Sequence, residues 1–266
     1  MKWRLIIDGP VDGARNMAVD RAVLYAHEQG EAPPTLRLYR WRVPTVTLGK
    51  FQRIEDVDTA LCERLGIDIV RRPTGGKGVL HDDEVTYSVI SGTRDSLPRG
   101  VAASYRVLCG ALVEAYRTLG VDAELTSRPC GERGSGACYL HATNADLSLG
   151  AAKLSGSAQV WHHDSCLQQG SFVRTRDVER EARVFRLGEA EQAALIQRTV
   201  TLGDVLGEPP DDRVLHTVVT EAFERTLGIV MEPGVLSEAE RVVADKGSAM
   251  FRVDTTTMSE VGKERK

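Results

Sequence analysis

The stretch Arg71-Arg72-Pro73-Thr74-Gly75-Gly76-Lys77-Gly78-Val79-Leu80-His81-Asp82 organises this chain. An apolar run at 67–70 precedes it. Residues 84–90 follow, with Val85, Tyr87 and Val89 alternating against Glu84, Thr86 and Ser88. This pattern predicts a glycine-rich loop joining two strands, with basic residues before and inside it and a histidine after it. Glycines let a backbone turn sharply and approach a ligand closely, with N–H groups free to donate. A tight β-connection has the same signature, so the rest of the chain must supply matching chemistry.

Upstream, residues 4–7 read as a strand and 14–29 as a helix opened by Asp12 or Gly13 and stopped by Gly30. Leu36-Arg37-Leu38-Tyr39-Arg40-Trp41 alternates with period two, which predicts a strand with its basic residues outward. Residues 46–48 form a short second strand, and Pro44 between them predicts a β-pair. Residues 57–65 are helical and end at Gly66. Downstream, 104–119 is an amphipathic helix with Ser104 as its N-cap. Residues 129–137 read as a loop, 145–149 and 153–160 as a hairpin turning at Gly150, and 167–173 as a strand. Helices at 189–197, 214–227 and 237–245 form a helical C-terminal portion over 175–250. Residues 255–266 carry little apolar content and are expected as a flexible tail. The order predicts an α/β (α+β) fold: a mixed β-sheet core flanked by helices, as one domain over 1–254. Helices do not alternate regularly with strands, which excludes a doubly wound sheet, and neither the dinucleotide nor the Walker phosphate pattern occurs.

Composition narrows the function. The chain has 266 residues, 42% hydrophobic and 27% charged, with a net charge of −4. Nothing in that balance favours nucleic acid or an anionic membrane. Aromatics at 5% disfavour a stacking platform for single strands. No run approaches a membrane span or a secretory signal, so a cytoplasmic protein is expected. A monomer is expected as well. The five cysteines are scattered without a CxxC pair, so no disulfide framework is expected. His162, His163 and Cys166 have no paired ligand motif beside them, and no metal is expected.

Three side chains carry candidate chemistry. Cys138 ends the glycine-rich 129–137 stretch. A thiol becomes a nucleophile when ionised, which a nearby ammonium or backbone donors promote. Cys62 and Cys109 sit within helical patterns and read as small buried hydrophobes. Lys153 stands among the small residues Ala151, Ala152, Gly156 and Ala158, where a lysine can lie beside a ligand, although a solvated strand-end lysine fits as well. His81 could line a pocket or sit at the surface.

The glycine loop followed by Glu84-Val85-Thr86-Tyr87-Ser88-Val89 resembles the signature of the biotin/lipoate protein ligase superfamily. Asn16-Met17-Ala18-Val19-Asp20 is similar to the first helix of that family. The segment from Pro34 to Trp41, continuing through Leu48-Gly49-Lys50-Phe51-Gln52, is similar to its early β-strands. Lys153-Leu154-Ser155-Gly156-Ser157-Ala158-Gln159 and Gln169-Gly170-Ser171 resemble its later strands. Ala137-Cys138 upstream of Lys153 resembles the octanoyltransferases of the lipoate-ligase-like branch, which form a thioester on this cysteine. Lys77 stands where ligases have a third consecutive glycine, a departure that favours the transferase branch and would crowd an adenylate.

The resemblance implies catalysis by Cys138 and Lys153. It implies an acyl channel formed by Arg72, Thr74, Gly75, Gly76, Lys77, Val79, His81, Gly156, Ser157 and Ala158. Backbone N–H groups near 75–77 or 156–157 are candidates for the oxyanion hole. No cofactor is implied, because a thioester donor makes ATP unnecessary. The implied donor is octanoyl-acyl carrier protein. The implied acceptor is a lipoyl-domain protein, the glycine cleavage H protein or a 2-oxoacid dehydrogenase E2. Such partners are acidic, and the basic residues Arg37, Arg40, Arg42, Lys50, Arg53, Arg71, Arg72 and Lys77 are candidates for a docking patch. The alternatives are an ATP-dependent lipoate–protein ligase, an octanoyl amidotransferase working between lipoyl domains, and a non-catalytic member that binds acyl groups or lipoyl domains.

Overall fold

The computed structural model describes residues 1–126, 130–131, 136–142 and 146–254. The expected tail at 255–266 and the middle of the expected loop at 129–137 lie outside the described residues. Strand β1 (Lys2–Val11) leads into helix α1 (Gly13–Glu28). The Asp12 carboxylate caps α1 by accepting from the Arg15 N–H at 3.2 Å. Strands β2 (Thr35–Trp41) and β3 (Thr45–Leu48) then diverge instead of pairing as the sequence predicts. Both edges of β2 are already taken, by β1 and by a later strand, so β3 starts a second sheet.

After α2 (Thr59–Arg64), strand β4 (Asp68–Arg71) runs parallel to β3, and β5 (Val79–His81) runs antiparallel on its other side. The glycine loop therefore joins β4 to β5 across β3, not directly to β6 (Glu84–Gly92), which belongs to the main sheet. Helix α3 (Val101–Thr118) starts earlier than its pattern predicts. Ser104 lies inside its first turn and donates back to Gly100 O at 2.8 Å instead of capping the helix.

Four short strands follow: β7 (Glu124–Leu125), β8 (Cys130–Gly131), β9 (His141–Ala142) and β10 (Leu147–Leu149). Strand β11 (Ala152–Ser155) pairs with β10 in the predicted hairpin, but it stops at Ser155. Beyond Gly156 the chain re-enters the main sheet as β12 (Ser157–His162), which turns into β13 (Ser165–Val173). Lys153 and Ser157 thus stand on different sheets.

Helices α4 (Val178–Val184), α5 (Glu189–Arg198), α6 (Leu202–Leu206) and α7 (Asp212–Leu227) come next. Strand β14 (Val230–Pro233) and helix α8 (Glu238–Gly247) follow. The C-terminal portion is therefore not wholly helical, since β14 runs parallel to β1 at the edge of the main sheet. That sheet is mixed, as expected, in the order β12-β13-β6-β2-β1-β14. Leu36, Leu38, Val85, Tyr87 and Val89 pack one face against Leu108, Leu112, Val219 and Phe223 of α3 and α7. Tyr39, Trp41, Ile90 and Leu167 pack the other against Met17, Val23 and Leu24 of α1 and Ala244 of α8.

Because both faces are covered, the alternating polar residues of β6 and of β2 apart from Arg40 are buried rather than solvated. Arg37, expected to point outward, is 0% exposed. It donates to Asp20 Oδ1 at 2.9 Å, Asn16 Oδ1 at 2.7 Å and Asp8 Oδ2 at 2.7 Å. Burial works against its charge, but Asp20, with Tyr39 and Asp8, outweighs this and keeps the guanidinium above its ordinary pKa. Removing one partner of such a pair leaves an uncompensated buried charge. Asp20→Ala is expected to lower unfolding free energy by about 3–5 kcal/mol, measured by urea denaturation.

Candidate active site

Cys138 reaches the cleft because its backbone is stitched to the end of the glycine loop. The Cys138 N–H donates to Gly78 O at 2.7 Å, and the Gly78 N–H donates to Gly136 O at 2.9 Å. Gln52 Nε2 holds the same Gly136 carbonyl at 2.8 Å. Lys153 comes from β11, whose free edge is held by the Val200 N–H on Lys153 O at 3.0 Å. Its Nζ lies 3.7 Å from Cys138 Sγ, 2.6 Å from His141 O and 3.2 Å from Cys138 O. The Asp146 carboxylate pairs with the same ammonium at 3.1 Å, and both side chains are buried.

Burial disfavours this ammonium. The neighbouring Cys138 sulfur and Asp146 carboxylate outweigh that, and the pKa of Lys153 is raised above its ordinary value. The ammonium thus faces the Cys138 sulfur directly, 3.7 Å away. Gly156 makes room for the pair: a Cβ there would stand 3.2 Å from Lys153 Cε and 3.4 Å from Asp146 Oδ1. Tyr139, buried beside the cysteine, is clamped from behind by the Arg176 guanidinium, 3.5 Å from the ring centroid.

The cleft itself encloses about 500 Å³, part of it open to solvent. Its lining includes Met17, Tyr39 and Trp41 from α1 and β2, and Gly156, Ser157, Ala158 and Gly170 at and beyond the start of β12. Thr47, Arg72, Val79 and His81 come from the small sheet, and Cys138 and Tyr139 stand beside them. Of the residues named from sequence, Arg72, Val79, His81, Gly156, Ser157, Ala158 and Cys138 thus meet around one cavity. Thr74, Gly75, Gly76, Lys77 and Lys153 are not among the residues that line it. Arg72 is the buried post that shapes the glycine loop. Its guanidinium donates to Thr74 Oγ1, Thr47 O, Thr47 Oγ1, Gly75 O and Lys77 O at 2.6–3.2 Å. Those bonds occupy its N–H groups, so it offers the cleft charge and shape more than free donors. Burial lowers its pKa, and the Cys138 sulfur opposes that shift.

His81 is held in place on three sides. It stacks on Trp41 with centroids 4.3 Å apart, and Nε2 meets Thr47 Oγ1 at 2.9 Å. Nδ1 meets Glu84 Oε1 at 2.6 Å. The Glu84 oxygen also accepts from Thr86 and Ser171 hydroxyls at 2.6 Å each. Burial pushes the Glu84 carboxyl up, but His81 and the two hydroxyls outweigh it and hold it below its ordinary range.

A family model for the lipoyl protein ligase A/B catalytic domain matches residues 12–224. An octanoyltransferase LipM of Kyrpidia tusciae is 39% identical over 95% of this chain and 97% of its own. The chain belongs to the lipoyl protein ligase A/B catalytic domain family. An octanoyltransferase LipM of Moorella thermoacetica is 37% identical over 90% of this chain and 91% of its own. A solved lipoate-protein ligase A with bound ATP superposes with a TM-score of 0.77 at 25% identity, covering 94% of this chain and 95% of that one.

Within this family fold, two cleft features escape the sequence pattern. Asp146 lies in an unremarkable Ala145-Asp146-Leu147 run, and only the pairing of β10 with β11 brings it to Lys153. Met17, Tyr39 and Trp41 have helix and strand patterns that mark them as core, and they serve as core and cleft wall together.

Two outcomes follow from these environments. Burial pushes the thiols of Cys62, Cys109 and Cys166 up to about 11, 12 and 12. Iodoacetamide at neutral pH is therefore expected to modify Cys138 first among the four cysteines with described side chains, read by peptide mass mapping. The Glu84 carboxylate, with its folded pKa depressed, adds stability above the ordinary glutamate range that is lost as pH falls below that range through the lower folded pKa. Glu84→Gln is expected to flatten this acid limb of the stability profile, read from melting temperature against pH.

Proposed function

We propose that the chain is an octanoyltransferase of lipoate synthesis. It moves an octanoyl group from a carrier-protein thioester onto Cys138, then onto a lysine of a lipoyl domain. The observation that carries this reading is the Cys138 sulfur at the cleft, 3.7 Å from a buried lysine ammonium. The octanoyltransferase names of the relatives at 39% and 37% identity support it. Residues 1–254 act as one catalytic unit in this reading, because β14 of the C-terminal portion completes the main sheet.

The two half-reactions balance around Lys153. In the first, the Cys138 thiolate attacks the thioester carbonyl, a new C–S bond forms, and the carrier sulfur leaves with its electron pair. Lys153 gives that sulfur its proton and becomes the amine. Acylation also removes the sulfur charge, one of the influences that raise the pKa of Lys153, so release of the proton becomes easier. In the second, the acceptor lysine attacks the Cys138 thioester, the amide C–N bond forms, and the C–S bond breaks. Lys153 takes the proton of the attacking amine, and the thiolate–ammonium pair is restored. Asp146 positions the lysine through both halves.

The donor arrives as a thioester, so the reaction needs no ATP. Burying the methylenes of an octanoyl tail in the cleft is worth on the order of 5 kcal/mol at ~0.8 kcal/mol each. Docking of acidic partners falls to a smaller basic set than the sequence indicates. Arg37 and Arg72 are buried, Arg40 pairs with Asp83 and Asp212, and Arg53 pairs with Glu55. Arg71 donates to Gly49 O and Gln52 O. Arg42, Lys50 and Lys77 carry no ion pair among the described residues, and the last two follow Gly49 and Gly76, which are in contact.

Intact-mass spectrometry after mixing with octanoyl-acyl carrier protein, without ATP, tests the reading. An octanoyl adduct is expected on the wild type and none on Cys138→Ala. Lys153→Met is expected to slow adduct formation by roughly 10²–10⁴-fold. A wild type that forms no adduct, yet makes AMP from ATP and octanoate, would be an adenylating ligase instead.

A further inference from the structure

Far from the chemistry of the cleft, two elements bring three potential metal ligands together. Glu28 is the last residue of α1. His162 ends β12, and His163 follows it in the turn to β13. His162 Nδ1 lies 2.8 Å from Glu28 Oε2, and His163 Nε2 lies 3.2 Å from Glu28 Oε1. One ligand atom from each residue lies within 4.8 Å of the others. His163 is at φ +52°, which turns it toward the same carboxylate as its neighbour. The two rings stand at 89° to each other with centroids 4.8 Å apart.

We propose that Glu28, His162 and His163 bind a divalent transition-metal ion, zinc or one of similar chemistry. Three arguments carry it. The donor set is two imidazoles and one carboxylate, which suits zinc, cobalt or nickel and disfavours magnesium and calcium, whose ligands are oxygens. The separations are close to those needed. Ligands about 2.0–2.1 Å from a tetrahedral zinc stand about 3.3 Å apart, so small rotations of two exposed imidazoles admit the ion. The electrostatics also call for a cation. Glu28 is a carboxylate at the C-terminal end of a helix, where the macrodipole disfavours negative charge. Arg94 at this terminus is engaged with the His27 and Ala32 carbonyls. Among the described residues, Glu28 is paired only with the two histidines.

The ion would leave a coordination position for water and staple the end of α1 to the β12–β13 turn. A lower layer already ties these parts together, through His27 to Ser165 at 2.8 Å and to Asp95 at 2.8 Å. The metal adds an outer clamp that no step of acyl transfer uses. Cys166, the ligand that sequence proximity offered, is buried in the opposite core and takes no part.

Tag-free protein stripped with a chelator and titrated calorimetrically with zinc chloride tests the site. One zinc per chain is expected, with a rise in melting temperature that grows with zinc concentration, and no comparable effect of magnesium chloride. Cobalt chloride should give a visible absorption band of low-symmetry coordination. His163→Ala and Glu28→Gln are each expected to weaken zinc binding on the order of 10- to 100-fold or more. Both should leave the metal-free melting temperature and octanoyl transfer unchanged. Cys138→Ala should keep the zinc. Absence of saturable binding, or zinc lost with Cys138→Ala and retained by the histidine and glutamate variants, would overturn the proposal and leave a hydrogen-bonded His–Glu–His cluster.

Discussion

The Asp20 carboxylate is the interaction on which the architecture turns. It is fully buried on α1 and is satisfied by four donors from three strands. Arg37 and Ser88 donate to one oxygen at 2.9 and 2.8 Å; Tyr39 and Gln169 donate to the other at 3.2 and 2.6 Å. A charge taken out of water is tolerable only when its lone pairs are met, and here they are met by β2, β6 and β13 at once. The seat of α1 on the main sheet is therefore specified by geometry as well as by apolar area. The network continues outward. Gln169 accepts from Thr74 at 3.1 Å, and Thr74 accepts from Arg72 at 3.1 Å. Through that chain the buried acid is linked to the glycine loop and so to one side of the cleft.

The loop has two supports, and they explain its composition. Arg72 gathers the carbonyls of Gly75 and Lys77 from within, which bends the chain back on itself. Gly76 takes φ +95° at the turn, where a side chain would be strained. The Gly76 carbonyl also fills the place where a Cβ of Gly49 would stand, so both positions need glycine. From this support the last loop residue, Gly78, holds the backbone of Cys138. Cys138 thus opens a single short helical turn, yet its position is set by a hydrogen-bonded path running back to α1.

Lys153 reaches the same point from another direction. The hairpin β10–β11 carries both Asp146 and Lys153, and the break at Gly156 sends the chain on into the main sheet. The cleft is lined by residues of the main and small sheets together with Cys138, whose sulfur meets the Lys153 ammonium that Asp146 pairs. A fold of this kind also serves a ligase solved with ATP. The reaction then depends on the groups placed upon the fold rather than on the fold itself. In the proposed function those groups are a thiol, an ammonium and the carboxylate paired with it.

Much was legible from sequence where a pattern is local. The loop glycines, the start of α1 at Asp12 or Gly13, the turn at Gly150 and the association of Cys138 with Lys153 through family resemblance all lie in short stretches of chain. Periodicity also marked most helices. It failed where burial is two-sided: Arg37, Glu84 and Ser88 alternate as surface positions do, yet helices on both faces enclose them. It failed again at sheet membership. Whether β3 pairs with β2 or founds a second sheet depends on which edges distant strands have already filled. The sequence by itself determined the family and the mixed fold, and it supplied the candidate residues Cys138 and Lys153. Only the tertiary structure decided that Asp146 holds Lys153, that Arg72 builds the loop, and that Glu28 meets two histidines 134 and 135 positions away. Each of those is a contact between elements remote in sequence, and no local pattern encodes which remote side chains burial and strand pairing will bring together.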